Sequence, residues 1–429
     1  MAAENSRTFV GFGFGAIQAG LFAFEALRSR RFARVVVAEV APALVRAVRQ
    51  NDGRFALNVA HRDRIESLEL GPIEMLDPQD PDDACRIVDA LVEASEAATA
   101  VPAVDFYSRG GDASIASFLA RAAALRSGAP LVVYAAENDN HAATKLRSAV
   151  LAACDSTTRE RVSRSLCCVD TVIGKMSGVI SEPAEITHRR LLPLTPSTPR
   201  AVLVESFRNI LVTSPRAVCG HDVARGIDVF VEKDELLPFE DAKLYGHNAV
   251  HALAGYLAHV AGFQRMDELH QVDGALDFVR DAFLDECGSG LIARHRGIDT
   301  LFTPRGFADY VDDLIERMFN PLLGDRVERV TRDPRRKLGW SDRLVGAMRL
   351  TLAAGVEPRR LARGAAAALL LLAPASARDP ELAERTLRSA WLDAESPRSP
   401  DGAEAHAVVR LVLDAAVELG CRGPAAAFA

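Results

Sequence analysis

The 429-residue chain carries a formal net charge of −7, with 49% hydrophobic and 25% charged residues. This is the balance of a globular protein of two or three domains, and its interspersed signs exclude a basic surface for nucleic acid. The seven cysteines form no C-x-x-C pair, which argues against a zinc ribbon or a disulfide framework and suits a reducing, cytoplasmic compartment.

The apolar run from Phe9 to Leu27 is broken by Gln18 and Glu25, and the run from Ala365 to Ala375 is too short to span a bilayer. Neither secretion nor a membrane partner is expected. Thr8 to Gly13 predicts a strand entering a glycine turn, and Ala16 to Arg28 a helix with Ile17, Leu21, Phe24 and Leu27 along one side. Arg34 to Val40 is a β-branched run bounded by charge, hence a second strand, and Ala41 to Gln50 its following helix. Strand, glycine turn, helix, strand opens a nucleotide-binding βαβ unit. The next stretch is less regular, with a helix expected from the Asp77 turn to about Ala97. Strands are expected at Ala103–Tyr107, Leu131–Ala135 and Cys168–Ile173, with helices between them that continue a parallel sheet. The proline-rich stretch from Pro183 to Pro199 reads as a loop or linker, and Ala201 to Thr213 as strands returning to the first domain. Helical patterns dominate after about residue 238, alanine-rich from Val345 onward, with a loop at Ser396 to Gly402.

The glycine turn offers two registers, Gly11-x-Gly13-x-x-Ala16 and Gly13-x-Gly15 with a later small residue at Gly20. In either, the backbone approaches a pyrophosphate at a helix N-terminus, with Ile17 opening that helix. Glu39 ends the second strand near the distance at which an acid binds the adenosine ribose. A carboxylate there accepts the ribose hydroxyls and repels a 2′-phosphate, so NAD is expected rather than NADP. At roughly 100° per residue, Lys243, His251 and Asn248 share one helix face. An amine, an imidazole and an amide side by side suit proton removal from an alcohol. Arg329 to Arg343 is a dense cationic run in which Asp333-Pro334 enforces a turn; such a run suits a phosphate or a polyhydroxylated ligand. No histidine has H-E-x-x-H spacing, so no metal is expected. Cys167-Cys168 at the start of an apolar strand reads as core.

Together these motifs resemble the long-chain polyol dehydrogenase family, most closely its mannitol-1-phosphate 5-dehydrogenase members. Phe12-Gly-Phe-Gly-Ala-Ile is similar to the family's opening F-G-x-G-x-I turn, Ala136-Glu137-Asn138 to its C-E-N, and Val169-Asp170 to its V-D. Val204-Glu205-Ser206-Phe207 resembles the E-P-F strand, and Lys243-x4-Asn248-x2-His251 matches the family signature. Arg329-Val-Thr-Arg-Asp-Pro-Arg-Arg-Lys-Leu resembles R-V-x-R-D-P-x-R-K-L. The chain departs from the pattern at Thr171 to Lys175, at Gly246-His247, and in a longer segment from Gly178 to Pro199.

The resemblance implies an α/β Rossmann-type NAD-binding domain over 1–237, with linker and extra strands at about 178–237, then a mostly α-helical domain over 238–429. It implies a metal-independent dehydrogenase, Lys243 as general acid/base, Asn138 and Asn248 holding the substrate oxygen, and His251 orienting both. Gly11, Gly13, Gly15, Ala16, Ile17, Glu39, Asn138 and Asp170 fall to the NAD side; Arg329 and Lys337 hold the substrate chain, and Arg332 and Arg335 partner a phosphate. The expected reaction interconverts a sugar phosphate and its polyol phosphate. The alternatives are a dehydrogenase for a free polyol, sugar acid or cyclitol and, more remotely, a non-catalytic NAD sensor. Monomer and homodimer are both compatible with the sequence.

Overall fold

The computed structural model describes residues 7–392, 400–422 and 427–428. Residues 396–399 of the loop expected at Ser396 to Gly402 lie outside the described residues. The chain divides into two compact units, Met1–Leu237 and Pro238–Ala429.

The first unit is built on an eight-stranded sheet. Its strands are β1 (Arg7–Phe12), β2 (Phe32–Ala38), β5 (Glu74–Leu76), β6 (Ala94–Thr99), β7 (Leu131–Ala135), β8 (Leu166–Val172), β11 (Ile210–Thr213) and β12 (Phe230–Lys233), in the order β12-β11-β8-β7-β6-β1-β2-β5. From β5 to β8 all neighbours are parallel, and β11 joins β8 antiparallel. Alternate residues of β1 feed two cores: Phe9 packs with Val35 and Val37 on one face, and Val10 and Phe12 with Val36 and Ala38 on the other. Both faces are covered, as a parallel sheet requires. The chain runs outward from β1 through β2 to β5 and then returns to the other side of β1 at β6. That reversal marks a Rossmann-type fold and puts a crevice at the carboxyl ends of β1 and β6.

Two expectations for this unit are corrected. The strand expected at Ala103–Tyr107 is a 3-10 turn, Val104–Ser108, and the strand is Ala94–Thr99, which begins inside the stretch expected to be helical to about Ala97. Ala-Ser-Glu-Ala-Ala-Thr has little intrinsic strand preference, but it lies between β1 and β7 in the sheet, and that packing overrides propensity. Glu96 in this strand is buried, accepting from the Tyr134 hydroxyl at 2.9 Å and the Gly226 amide at 2.6 Å. The irregular stretch also holds β3 (Phe55–Ala60) and β4 (Ile65–Leu70), which join β9 (Ser177–Ile180) and β10 (Ala201–Glu205) in a second sheet, order β4-β3-β10-β9. Thus Ala201–Thr213 supplies one strand to each sheet. β3 is buried along its whole length, so it lacks the alternation that betrays a half-exposed strand. Its buried Asn58 donates to the carbonyls of Leu192 and Val202 and accepts from Ser67 Oγ and the Leu192 amide, at 2.8–3.0 Å. The proline-rich stretch contains a short helix, Pro183–His188.

The second unit is helical. Its helix Arg359–Leu372 crosses Asn248–Val260 at Gly364, where a Cβ would lie 2.9 Å from the Leu253 backbone. The alanine run after Gly364 is buried, so the small residues serve close helix approach. Among the described residues no helix is long and apolar enough to cross a membrane.

Candidate active site

In the first unit, β1 ends at Phe12 and the chain turns through Gly13. Gly13 has φ +80°, and a Cβ there would sit 2.9 Å from the Ala100 carbonyl oxygen; only glycine meets both conditions. Gly15 faces open space, and a Cβ on Gly20 would lie 2.3 Å from the Val204 side chain of β10. The turn therefore uses the Gly13-x-Gly15 register. Gly11 lies within β1, where a Cβ would overlap the Gln18 amide at 2.0 Å; its smallness seats the π-helical turn Gln18–Ala23 against the strand.

Gly13, Gly15, Ala16, Ile17 and Glu39 line a cleft of about 700 Å³ at the carboxyl ends of β1, β2 and β6. Glu39 is 8% exposed. Its Oε2 accepts from the Phe14 amide at 2.6 Å and its Oε1 from the Ala41 amide at 2.8 Å, so it ties the glycine turn to the end of β2. Each oxygen keeps a further lone pair for a ribose hydroxyl. A cradle that a Cβ would fill, beside an acid, fits a dinucleotide. Replacing Glu39 by alanine frees both amides, and the Kd for NADH in a fluorescence titration is expected to rise about tenfold; an unchanged Kd would show that the carboxylate holds neither turn nor ribose.

Asn138 and Asp170 are not among the residues lining that cleft. Asn138 sits in the loop after β7, next to buried Glu137. Glu137 accepts from Thr99 Oγ1 and the Val101 amide, both at 2.9 Å, and from the Tyr107 hydroxyl, and so clamps this loop to the end of β6. Asp170 on β8 accepts from the Ala143 amide at 2.8 Å and caps the helix Ala142–Ala152. Burial raises its carboxyl pKa against that hydrogen bond.

In the second unit, Lys243 lies in a π-helical turn, Ala242–His247, that runs into the helix Asn248–Val260. The 100° wheel used on the sequence therefore fails over the first residues, because a π turn bonds i to i+5 and rotates less per residue. Asn248 and His251, three apart on the regular helix, do share a face. The turn is packed tightly: a Cβ on Gly246 would lie 2.8 Å from the Phe283 ring, in a second π-helical turn, Ala282–Cys287. Burial brings the Lys243 amine down to about 8; Glu240 opposes that shift and the Arg343 charge assists it. Burial also pushes the neighbouring His247 well below its ordinary value, with the His251, Arg317, Lys243 and Arg343 charges adding to it.

His251 Nε2 lies 2.9 Å from Asp325 Oδ2, and Arg329 Nε donates to Asp325 Oδ1 at 2.7 Å. A carboxylate only accepts, so Nε2 carries a proton and the bond fixes the orientation of the ring. Burial alone would raise the Asp325 pKa; the hydrogen bonds and charges of His251 and Arg329 outweigh it and hold the carboxyl well below the usual range. Sequence reasoning missed Asp325. Its one local signal was the Asp-x3-Arg spacing to Arg329, which also describes many ordinary helix-surface pairs.

The cationic run does not form one surface. It folds as two short helices, Val327–Thr331 and Pro334–Lys337, joined at Asp333 with φ 57°. Lys337 turns inward and donates to the carbonyls of Val330 and Arg332, under the Tyr256 ring at 5.6 Å. Burial and the Arg343 and Arg336 charges bring its amine down to about 8. Arg329 is tied to Asp325, exposed Arg332 reaches only the Arg329 carbonyl at 3.3 Å, and exposed Arg335 donates to the Ser389 carbonyl at 2.7 Å. Cys167 and Cys168 are core residues of β8, and burial pushes the Cys168 thiol up to about 12. Among the described residues no three His, Cys, Asp or Glu side chains are grouped to hold a metal.

Residues 235–382 match the family described as mannitol dehydrogenase C-terminal domain, a span that contains Lys243, Asn248, His251, Asp325 and Lys337. A D-sorbitol dehydrogenase structure in substrate-free form superimposes with a TM-score of 0.76 at 15% identity, covering 99% of this chain and 96% of the other. The Pseudomonas fluorescens mannitol 2-dehydrogenase ternary complex with NAD and D-mannitol superimposes with a TM-score of 0.70 at 16% identity, covering 100% and 94%. The two superpositions show a shared fold, and the family match covers residues 235–382 of the second unit.

Proposed function

We propose that the protein is an NAD-dependent dehydrogenase that interconverts a polyol and its keto sugar, in first place as their phosphate esters. The observation that carries this is Lys243, inside the matched family span, with its amine held near 8 by burial. An ordinary lysine is charged and useless as a base at neutral pH; this one is poised to exchange a proton with an alcohol. The carboxamide of Asn248, with Asn138 in the role that its motif gives it, holds the oxygen whose proton is moved. His251, its Nε2–H held by Asp325, presents Nδ1 to a substrate hydroxyl. Gly13, Gly15, Ala16, Ile17 and Glu39 would hold NAD, whose nicotinamide supplies hydride transfer when bound; Gly11 and Asp170 support the turn and the adjoining helix. No metal is needed to polarise the carbonyl, because the lysine and the amides do so.

A second reading, oxidation of a free polyol or a sugar acid, draws on Arg332 and Arg335. Both are exposed, and Arg335 spends its guanidinium on Ser389, which argues against them as phosphate ligands. Reduction assays with NADH separate the two. Oxidation of NADH by fructose 6-phosphate and not by fructose supports the first reading, and turnover of free sugars or sugar acids alone supports the second. Tight NADH binding without turnover of any polyol or keto sugar would sink both.

A further inference from the structure

We propose that Arg343 reads a negatively charged group on the substrate, a phosphate ester or a carboxylate, beside Lys243. This rests on the dehydrogenase reading above and names the class of polyol that the site accepts. Arg343 closes the cationic run of the sequence and opens the helix Arg343–Ala353. Three residues on, a Cβ at Gly346 would lie 2.5 Å from the Tyr245 ring. Residues three apart share a helix face, so Arg343 faces the same way as Gly346, toward the π-helical turn that carries Lys243. The Tyr245 hydroxyl donates to the Ser341 carbonyl at 3.2 Å and fastens the segment before this helix to that turn.

The Arg343 side chain is 13% exposed. Its Nε donates to Asp342 Oδ1 at 2.8 Å, while its two Nη groups donate no hydrogen bond to any described residue. A guanidinium presents paired N–H groups that match a carboxylate or phosphate, and here the Nη edge remains unspent. Its counter-charge is also shared, because Asp342 Oδ2 lies 3.1 Å from Arg336 Nη1. One carboxylate against two guanidiniums leaves a surplus of positive charge. That charge is felt at Lys243, His247, Lys337 and Tyr256, whose protonated forms it disfavours. Of the other arginines of the run, Arg329 is committed to Asp325, Arg335 to Ser389 and Arg336 to Asp342, while Arg332 is exposed to solvent and not sheltered. A neutral polyol has no use for a sheltered, unspent guanidinium, whereas an anion repays its desolvation.

The test uses the full chain, wild type, R343M and R343K. NAD-linked oxidation of mannitol, mannitol 1-phosphate and mannonate gives a charged-to-neutral ratio of kcat/KM for each anion. In R343M that ratio is expected to fall roughly 10²-fold, with part of it restored in R343K. A fall confined to mannitol 1-phosphate names a phosphate as the group read, and one confined to mannonate names a carboxylate. An unmoved ratio, or an equal loss on all three compounds, overturns the assignment, the latter because it reports only a structural role. Phosphorus NMR titration of inorganic phosphate, and a parallel proton NMR titration of acetate, need no turnover. Saturable binding of either that R343M abolishes supports Arg343, and binding that is absent in wild type or unchanged in R343M overturns it. Absence of turnover on every polyol sinks the dehydrogenase reading, while these titrations still decide on Arg343.

Discussion

Lys243→Ala is expected to lower kcat for alcohol oxidation by roughly 10²- to 10⁴-fold while leaving the Kd for NADH near the wild-type value. The cleft lined by the glycine turn and Glu39 is built wholly from the first unit, so removing an amine from the second leaves it intact. The pH dependence follows from the same side chain. Burial lowers the Lys243 amine to about 8, so the neutral, proton-accepting form grows in as pH rises through that value. Oxidation of the alcohol should climb to a plateau above about 8, and reduction of the ketone, which needs the protonated amine, should fall over the same interval. Removing Lys243 should abolish both inflections. A variant that kept near-native rates, or an unaltered pH profile, would assign the proton to another group. Glu240 opposes the lowering, so Glu240→Gln is expected to move the inflection to lower pH.

Asp325→Ala is expected to destabilise the protein by about 3 kcal/mol near pH 7, the typical cost of breaking a buried charged pair, and to lower kcat. The Asp325 side chain is 7% exposed and serves both His251 and Arg329. Its loss frees the His251 ring and leaves Nε2 without an acceptor, so the orientation of the ring is no longer set. Asp325→Asn keeps an oxygen for Nε2–H but removes the charge that holds Arg329, and it should retain more activity than alanine. The stability difference between wild type and alanine depends on pH in a defined direction. The folded pKa of Asp325 is depressed, so the stabilisation is present above the ordinary carboxylate value of 3.8 and is lost as pH falls below it toward the folded value. Urea unfolding at pH 7 and pH 3 measures this. A difference that stayed constant or grew at pH 3 would mean that the ion pair is not what stabilises the fold.

The glycine turn illustrates what short-range chemistry encodes. A strand, a residue that must take positive φ, and a helical stretch all lie within the first thirty positions, and the order of the three is legible from neighbours in the chain. The acid that ends β2 and the shift to helix after residue 238 were legible for the same reason, since period and composition are local properties. The motif around Lys243 was legible too, but its geometry was not. A π turn pressed against Phe283 changes the angle at which the amine leaves the helix, and that packing partner lies far along the chain.

The alanine-rich strand β6 was misplaced because its identity comes from the neighbours it separates and not from its own preference. The His251–Asp325 pair spans 74 positions, and no spacing rule reaches that far. The run from Arg329 to Arg343 makes the contrast plain. Its composition determined that cations would gather there. Only the tertiary structure decided that Lys337 turns inward to carbonyls, that Arg329 and Arg335 are spent on other partners, and that Arg343 keeps an open edge, because a charge is available to a ligand only where folding has left it sheltered and unpaired.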